Sequence, residues 1–424
     1  MSRNPNPNTV AYWDESELRR EIDRVFDICS GCRRCFNLCD SFPYLFERME
    51  AADDDASRLT PAEIERVVSL CFQCKVCGFQ KCPYTPPHDY QLDFPKLMLR
   101  AKAVRARKDG FSLRDKLLTN IDRVGPLSSA VAPLVNLANR NPVNRWLMHH
   151  TVGIHRKKLL PAFHSETFEK WFVRNAPAAP ANPTARVALF HTCTVNYNAP
   201  DIGKAAVAVL GHNGVDVSVP EQRCCGMPFF DVGDIEAAKE NARANLATLS
   251  KAVAEGRDIV VPMPTCSLMI KHEYPYLLGE EAKGVADRTF DLCEYLMRLH
   301  AAGKLRADFP FNPGTIAYHV PCHLRDQKIG YKSAELMRLI PGATVVPIEW
   351  CSGHDGTWSM KTEFFEQSMK VGGKVFAGVE EARPDVVASD CALAGNQIQQ
   401  GTGRTVLHPI QVVARAYGLE EKTR

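Results

Sequence analysis

The sequence predicts an α plus α/β protein: an N-terminal all-helical metal-binding domain, then two pseudo-symmetric α/β lobes with parallel sheets. Three observations predict it. Eight of the sixteen cysteines fall between Cys29 and Cys82, within 54 residues. Each of the two cysteine runs there follows a segment with helical apolar spacing. From residue 184 onward the chain alternates strand-like and helix-like segments twice over, and the cysteines of the two copies recur at nearly equal steps.

The first run, Cys29, Cys32, Cys35 and Cys39, is spaced C-x2-C-x2-C-x3-C. The second, Cys71, Cys74, Cys77 and Cys82, is spaced C-x2-C-x2-C-x4-C and followed by Pro83. Three thiolates at two-residue gaps can wrap three corners of one cubane cluster, so the fourth ligand must come from further away. In two-cluster ferredoxins each run's fourth cysteine ligates the other run's cluster. That pattern assigns Cys29, Cys32, Cys35 and Cys82 to one [4Fe–4S] cluster and Cys71, Cys74, Cys77 and Cys39 to a second. Structural zinc usually takes paired C-x2-C units rather than triplets, and disulfides need an oxidising compartment.

Residues 16–28 (SELRREIDRVFDI) place Leu18, Ile22, Val25 and Phe26 on one helical face, with Cys29 expected to end the helix. Residues 61–70 repeat the design with Ile64, Val67 and Val68, ending at Cys71. Thr60 and Glu63 form a capping box around Pro61. With a helix before each run, the stretch resembles the all-helical ferredoxin units of respiratory iron–sulfur subunits. Such a unit passes single electrons, and nothing in it offers a substrate pocket.

At 424 residues and 45% hydrophobic content, the chain can bury several cores. A net charge of +3 says little about partners. Residues 1–10 contain no apolar core of a signal peptide. Sixteen cysteines without such a signal point to a reducing cytosol and metal binding. The longest apolar stretch, residues 128–138, contains Pro133 and is too short to span a bilayer. The expected location is therefore cytoplasmic, either free or peripheral on the inner face of the cell membrane.

The expected segments are a helical ferredoxin domain over 1–100, a basic and apolar helical connector over 101–175, and lobes over 184–306 and 312–424. Between 96 and 123 nine Lys/Arg face three Asp, which reads as a solvated helical face or a dock for an acidic partner or anionic membrane. Almost no aromatics interleave these charges, which argues against nucleic acid. Residues 126–148 are apolar with basic punctuation, followed by His149, His150 and His155. They read as interdomain packing, or else as a membrane-interface segment near a quinone. A Pro/Ala linker over 175–183 marks the best domain boundary.

The first copy reads strand (186–190), Cys193, helix (202–210), strand (215–219), Cys224-Cys225-Gly226, helix (235–254), strand (259–262), Cys266. The second reads strand (315–319), Cys322, helix (333–339), strand (344–348), Cys351-Ser352-Gly353, helix (362–379), strand (386–388), Cys391. The cysteine steps are 31 and 42, then 29 and 40. Alternating β and α builds parallel sheets with helices on both faces. Each repeated cysteine falls just past a strand, where such sheets bind ligands. Cys193, Cys224, Cys225 and Cys266 suffice for an iron–sulfur cluster or a zinc. Cys322, Cys351 and Cys391 leave a fourth position for His319, His323, His354, Asp355 or Ser352, or an open corner. Buried apolar cysteine is the plainer alternative, and Cys293 reads as core.

Together the two ferredoxin runs, the two Cys–CCG–Cys copies and residues 144–174 resemble the CCG-domain iron–sulfur subunits. These include the C subunit of anaerobic glycerol-3-phosphate dehydrogenase, the D subunit of heterodisulfide reductase and the iron–sulfur subunits of glycolate and lactate oxidases. The resemblance implies a relay of electrons from a partner flavoprotein dehydrogenase toward a quinone or other acceptor. It also implies that the CCG motifs can hold further clusters. The family's repeat usually ends in C-x-x-C, whereas here the copies end Cys266-Ser267-Leu268-Met269 and Cys391-Ala392-Leu393-Ala394, and the second CC pair is Cys351-Ser352. A five-cysteine non-cubane cluster cannot be assembled at either site from these cysteines alone.

The competing reading is a heterodisulfide-reductase-like enzyme acting on a small thiol or disulfide. Cys322 would then be the reactive thiolate, with His323 or His354 as proton donor. Residues 210–214 (LGHNG) lack the G-x-G-x-x-G spacing of a dinucleotide site, so any flavin is expected on another chain.

Overall fold

The computed structural model describes residues 3–419, which form two compact units. Residues 1–2 and 420–424, the outer ends of the first and last expected segments, lie outside the described residues. The first unit runs to Thr119 and adds two later segments, Pro228–Ala238 and Asp355–Trp358.

Four main helices build the first unit. Asp14 caps α1 (Glu15–Cys32), its carboxylate accepting the Glu17 N–H at 2.9 Å. The helix does not end at Cys29. It runs one turn further and stops where Arg33 turns left-handed at φ +52°, with its N–H donating to the Cys29 carbonyl. Cys29 and Cys32 therefore sit three residues apart on one helical face. Just past Cys39, α2 (Ser41–Ala51) buries Phe42, Leu45, Phe46 and Met49. The capping box of α3 (Pro61–Leu70) is present, with the Glu63 N–H donating to Thr60 Oγ1 at 3.3 Å and the Thr60 N–H to Glu63 Oε2 at 2.9 Å. As expected, the chain leaves this helix at Cys71. Asp93 caps α4 (Phe94–Asp109). The rings of Phe26, Phe42 and Phe94 meet in the core, with Phe42 and Phe94 centroids 4.8 Å apart. Truncating such a ring to alanine costs about 3–5 kcal/mol.

The basic stretch on α4 is partly an internal brace rather than one solvated face. Arg100 is buried and donates to the carbonyls of Tyr12 (2.7 Å) and Ala11. Lys102 is buried too, and its ammonium donates to the Cys71 carbonyl at 2.7 Å and the Asp231 carbonyl at 3.3 Å. Arg105 pairs with Glu65 and Lys108 with Glu15. Gly233, at φ +89°, packs so tightly that a Cβ would stand 2.6 Å from the Ala103 nitrogen, so only glycine fits. Trp358 packs against Phe72 with ring centroids 4.8 Å apart and donates to the Ser69 carbonyl at 3.0 Å.

The second unit holds two four-stranded sheets. The first orders β1 (Ala185–Leu189), β2 (Val215–Ser218), β3 (Asp258–Val261) and β4 (Thr289–Asp291) as β2-β1-β3-β4. The second orders β5 (Thr315–His319), β6 (Thr344–Ile348), β7 (Val386–Ser389) and β8 (Val406–Leu407) as β6-β5-β7-β8. All pairings are parallel, so the expected repeat is realised with the same strand order twice. The central strands are continuous apolar runs, such as Val187-Ala188-Leu189 and Ile259-Val260-Val261, as strands covered on both faces require. The short β4 and β8 complete the sheets beyond the three strands expected in each.

The same unit begins with three helices, Ile121–Ala130, Ala132–Arg140 and Pro142–Thr151. Leu127, Leu134, Leu137, Val143 and Trp146 on them are 50–72% exposed. Arg145 is the inward anchor: it is buried and donates to the carbonyls of His155 (2.7 Å) and Lys158 (2.8 Å). His155 stacks on Phe365 at 3.9 Å. Among the described residues no helix is long and apolar enough to cross a membrane.

Candidate metal centres

In the first unit the thiols group crosswise. Burial pushes the Cys29 thiol far up, and its thiol neighbours Cys35, Cys82 and Cys32 push it further. Cys35 is pushed up to about 12 by burial, then by Cys82 and Cys32. Cys77 is raised by burial and by Cys71 and Cys39, with Cys35 and Cys29 further down the order. Cys82 thus stands among the first three thiols of the other run, and Cys39 beside Cys77. A cavity is lined by Cys29, Cys32, Cys35 and Cys82 together with Phe42 and Tyr84. Such half-buried thiols cannot all ionise side by side unless a cationic centre offsets their charge. That donor chemistry fits an iron–sulfur group. Between Cys71 and Cys77 the chain turns through left-handed Gln73 and Lys75, and the Gln73 amide reaches back to Cys71 Sγ at 3.6 Å.

In the second unit, four thiols of the first repeat form a chain of contacts. Cys193 Sγ and Cys224 Sγ lie 3.8 Å apart. Sulfurs about 2.3 Å from a tetrahedral metal are themselves about 3.8 Å apart, so the spacing fits. The Cys224 contact, then burial, holds the Cys193 thiol well up. Cys266 is drawn down by its hydrogen bond with Cys225, but burial and the nearby Cys193, Cys224 and Cys391 leave it raised. Cys224, Cys225 and Cys266 are buried. A polar frame holds the CC loop. The Cys224 N–H donates to Asp122 Oδ1 at 2.9 Å, and Asn241 and Asn245 both donate to the Cys224 carbonyl. The Tyr274 hydroxyl donates to the Cys225 carbonyl at 3.1 Å and accepts from Asn245. Sequence reasoning missed these four partners. The available signal was Asn241 and Asn245, a one-turn pair of poor helix formers inside Ile235–Ala254.

The second repeat brings its cysteines to one sheet edge. Residue His319 pairs with both Ile348 and Ser389, and Cys322, Cys351 and Cys391 follow two or three residues beyond. Cys351 Sγ accepts the Gly353 N–H at 3.4 Å, and Cys391 Sγ accepts the Ala394 N–H at 3.5 Å, capping Ala392–Thr402. Gly353 is left-handed at φ +73°, and a Cβ there would collide with the Ser368 carbonyl at 2.0 Å.

The candidate fourth donors separate. His319 Nδ1 is taken by Ser389 Oγ at 3.0 Å, and burial pushes this imidazole down to about 3. His323 Nδ1 meets Thr265 Oγ1 at 3.0 Å. Ser352 is buried and its hydroxyl lies 3.5 Å from the His354 N–H. Asp355 belongs to the first unit, near Cys71. His354 binds Ser359 Oγ through Nδ1 at 3.1 Å, while its Nε2 is buried without a hydrogen-bond partner among the described residues. Burial, then the Lys158 ammonium, pushes His354 well below the usual imidazole range. Burial thus favours its neutral form. Lys158 itself, pushed down to about 8 by burial, donates to Gln397 Oε1.

Fold and thiols together define a protein that joins a helical ferredoxin-like unit to a tandem cysteine-rich α/β repeat. Comparison with known proteins agrees. Residues 22–109 match the citrate utilization protein B Fer4-like domain, and residues 187–271 and 316–399 match the CCG cysteine-rich domain. The chain is 33% identical over 310 residues to the C subunit of anaerobic glycerol-3-phosphate dehydrogenase from Escherichia coli (strain K12), covering 72% of this chain and 77% of that protein. It is 31% identical over 244 residues to lactate utilization protein A of Bacillus cereus (strain B4264), covering 54% of this chain and 98% of the relative. The corresponding protein of Geobacillus thermodenitrificans (strain NG80-2) is 31% identical over 224 residues, covering 50% of this chain and 89% of the relative. The chain belongs to the CCG-domain iron–sulfur family that includes the C subunit of anaerobic glycerol-3-phosphate dehydrogenase.

Proposed function

We propose that this chain is an electron-transfer subunit of an oxidoreductase. Cys29, Cys32, Cys35 and Cys82 ligate one [4Fe–4S] cluster, and Cys71, Cys74, Cys77 and Cys39 ligate a second. The crosswise grouping of thiols carries this reading: Cys82 neighbours Cys29 and Cys35, and Cys39 neighbours Cys77. When bound, the clusters supply one-electron redox chemistry whose potential follows burial and hydrogen bonds to sulfur. The chain's own residues hold the sulfurs and limit water. The aromatic core packs against Cys29, Cys35 and Cys39. The Lys102 ammonium and the Gln73 amide both favour negative charge at Cys71.

In the second unit, Cys193, Cys224, Cys225 and Cys266 hold a further cluster or a zinc. Cys322, Cys351 and Cys391 form a second centre, and His354, whose Nε2 is buried with no hydrogen-bond partner among the described residues, is the candidate fourth donor. The electron donor is a flavoprotein dehydrogenase on another chain, in keeping with the resemblance to a dehydrogenase subunit of Escherichia coli and with the lack of a dinucleotide fingerprint here. The acceptor is a quinone reached at a membrane surface. The exposed apolar side chains of 121–151, flanked by exposed Arg123, Arg140 and Arg156, suit the interfacial zone of an anionic bilayer.

Iron and acid-labile sulfide per chain on anaerobically purified protein, with electron paramagnetic resonance of the reduced form, test the reading. About eight irons are expected from the first unit alone, and about twelve or more if the cysteine-rich repeat is filled by clusters. Far fewer than about eight after anaerobic reconstitution would overturn the ligand assignment.

A further inference from the structure

In each sheet the residue at or just past the end of the fourth strand caps the next helix and reaches toward the other sheet's third-strand end. After β8, His408 caps Pro409–Ala416, and its Nε2 donates to the Pro262 carbonyl, just past β3, at 2.7 Å. At the end of β4, Asp291 caps Leu292–Ala301 and meets Asp390, just past β7. Where the first contact is a plain hydrogen bond, the second brings two carboxylates together and adds the thiol of Cys293. One ligand atom from each of Asp291, Cys293 and Asp390 lies within 4.8 Å of the others, and all three residues are at most 2% exposed.

The geometry points to a buried zinc site formed by Asp291, Cys293 and Asp390, separate from the repeated cysteines. Asp291 Oδ1 accepts the Cys293 N–H at 3.0 Å, but its Oδ2 is sealed from water with no hydrogen-bond partner among the described residues. An isolated buried carboxylate oxygen is costly, and a cation satisfies it. Asp390 is already held in place by two hydroxyls, Tyr318 donating to Oδ2 at 2.5 Å and Ser333 to Oδ1. Such outer donors orient a ligating carboxylate. Lys271, whose charge acts on Asp291, is ion-paired with Glu294 at 2.9 Å. One sulfur with two carboxylate oxygens suits zinc. Magnesium and calcium take oxygen-only sets with more ligands. Binding replaces the Cys293 thiol proton, which leaves for solvent, with a Zn–S bond.

Zinc per chain and the zinc X-ray absorption edge are measured on full-length protein expressed with zinc and iron both replete. About one zinc in a shell of one sulfur and otherwise oxygen is expected. Asp390→Asn and Cys293→Ala should each lower zinc at least tenfold and leave iron unchanged. A shell of three or four sulfurs would place zinc at the repeated cysteines and overturn the assignment, as would protein without zinc. Where a variant fails to fold, the wild-type absorption shell alone decides. An iron content far below that expected of the ferredoxin unit would count against the electron-transfer reading only.

Discussion

Cys82 closes the second cysteine run in sequence but stands with the first run in space: after burial, its thiol is among the neighbours that hold Cys29 and Cys35 above their ordinary range. Cys32 and Cys82 should then serve one cluster. Cys32→Ser and Cys82→Ser are each expected to cut iron in the first unit from about eight to about four per chain. The double variant should lose no more than either single change. Iron and sulfide analysis reads this directly, and loss of both clusters in the double variant would reverse the crosswise assignment.

The loop of Cys224 and Cys225 depends on Asn245, which donates to the Cys224 carbonyl and the Tyr274 hydroxyl and accepts the Arg223 N–H at 2.8 Å. Asn245→Ala removes these three bonds, leaving Asn241 as the donor to the Cys224 carbonyl, at a cost of about 1–3 kcal/mol. A matching fall in the denaturant midpoint is expected, with the iron of the first unit unchanged. A midpoint within error of wild type would show that Asp122 and Asn241 hold the loop without it.

Much of this architecture was legible because it is written in spacing. Leu18, Ile22, Val25 and Phe26 lie on the buried face that their period demanded, and the Thr60–Glu63 box forms as read. The equal cysteine steps foretold two sheets of one topology. What escaped is what local pattern does not encode. The strands β4 and β8, of three and two residues, are too short to show a period. The helix through Cys29 continues because nothing in Ser30-Gly31 breaks it before Arg33. Pro228–Ala238 and Asp355–Trp358 lie inside the repeats in sequence, yet they pack with the first unit through long-range contacts, Lys102 to Asp231 and Trp358 to Ser69. Cys293 is core, as its sequence reads, but only the fold brings Asp390 beside it and Asp291.

The exposed leucines of 121–151 give the membrane reading a direct test. Burying a leucine side chain in an apolar phase is worth about 1.5–3 kcal/mol when complete. The double variant Leu134→Glu with Leu137→Glu should therefore weaken binding to anionic phospholipid vesicles at least tenfold, with iron content unchanged. Sedimentation with vesicles measures it. Equal binding by variant and wild type would assign this face to another protein chain.

His408 makes the stability of the second unit sensitive to mild acid. Burial pushes its imidazole down to about 4, while its ring accepts the Ile410 N–H and donates to Pro262. Once unfolded, it takes a proton below about 6.5. The folded state resists that proton until about pH 4, so its stabilising contribution is whole above about pH 6.5 and is lost progressively as pH falls toward 4. From pH 6.5 to 5.5 this single group should cost about 1 kcal/mol. His408→Asn keeps a capping acceptor for the Ile410 N–H but does not titrate. It should be less stable at pH 7.5, having lost the Pro262 contact, yet decline less steeply on acidification. Urea unfolding at pH 7.5, 6.5 and 5.5 compares the two. Parallel pH profiles would show that His408 is not the group that carries the acid sensitivity.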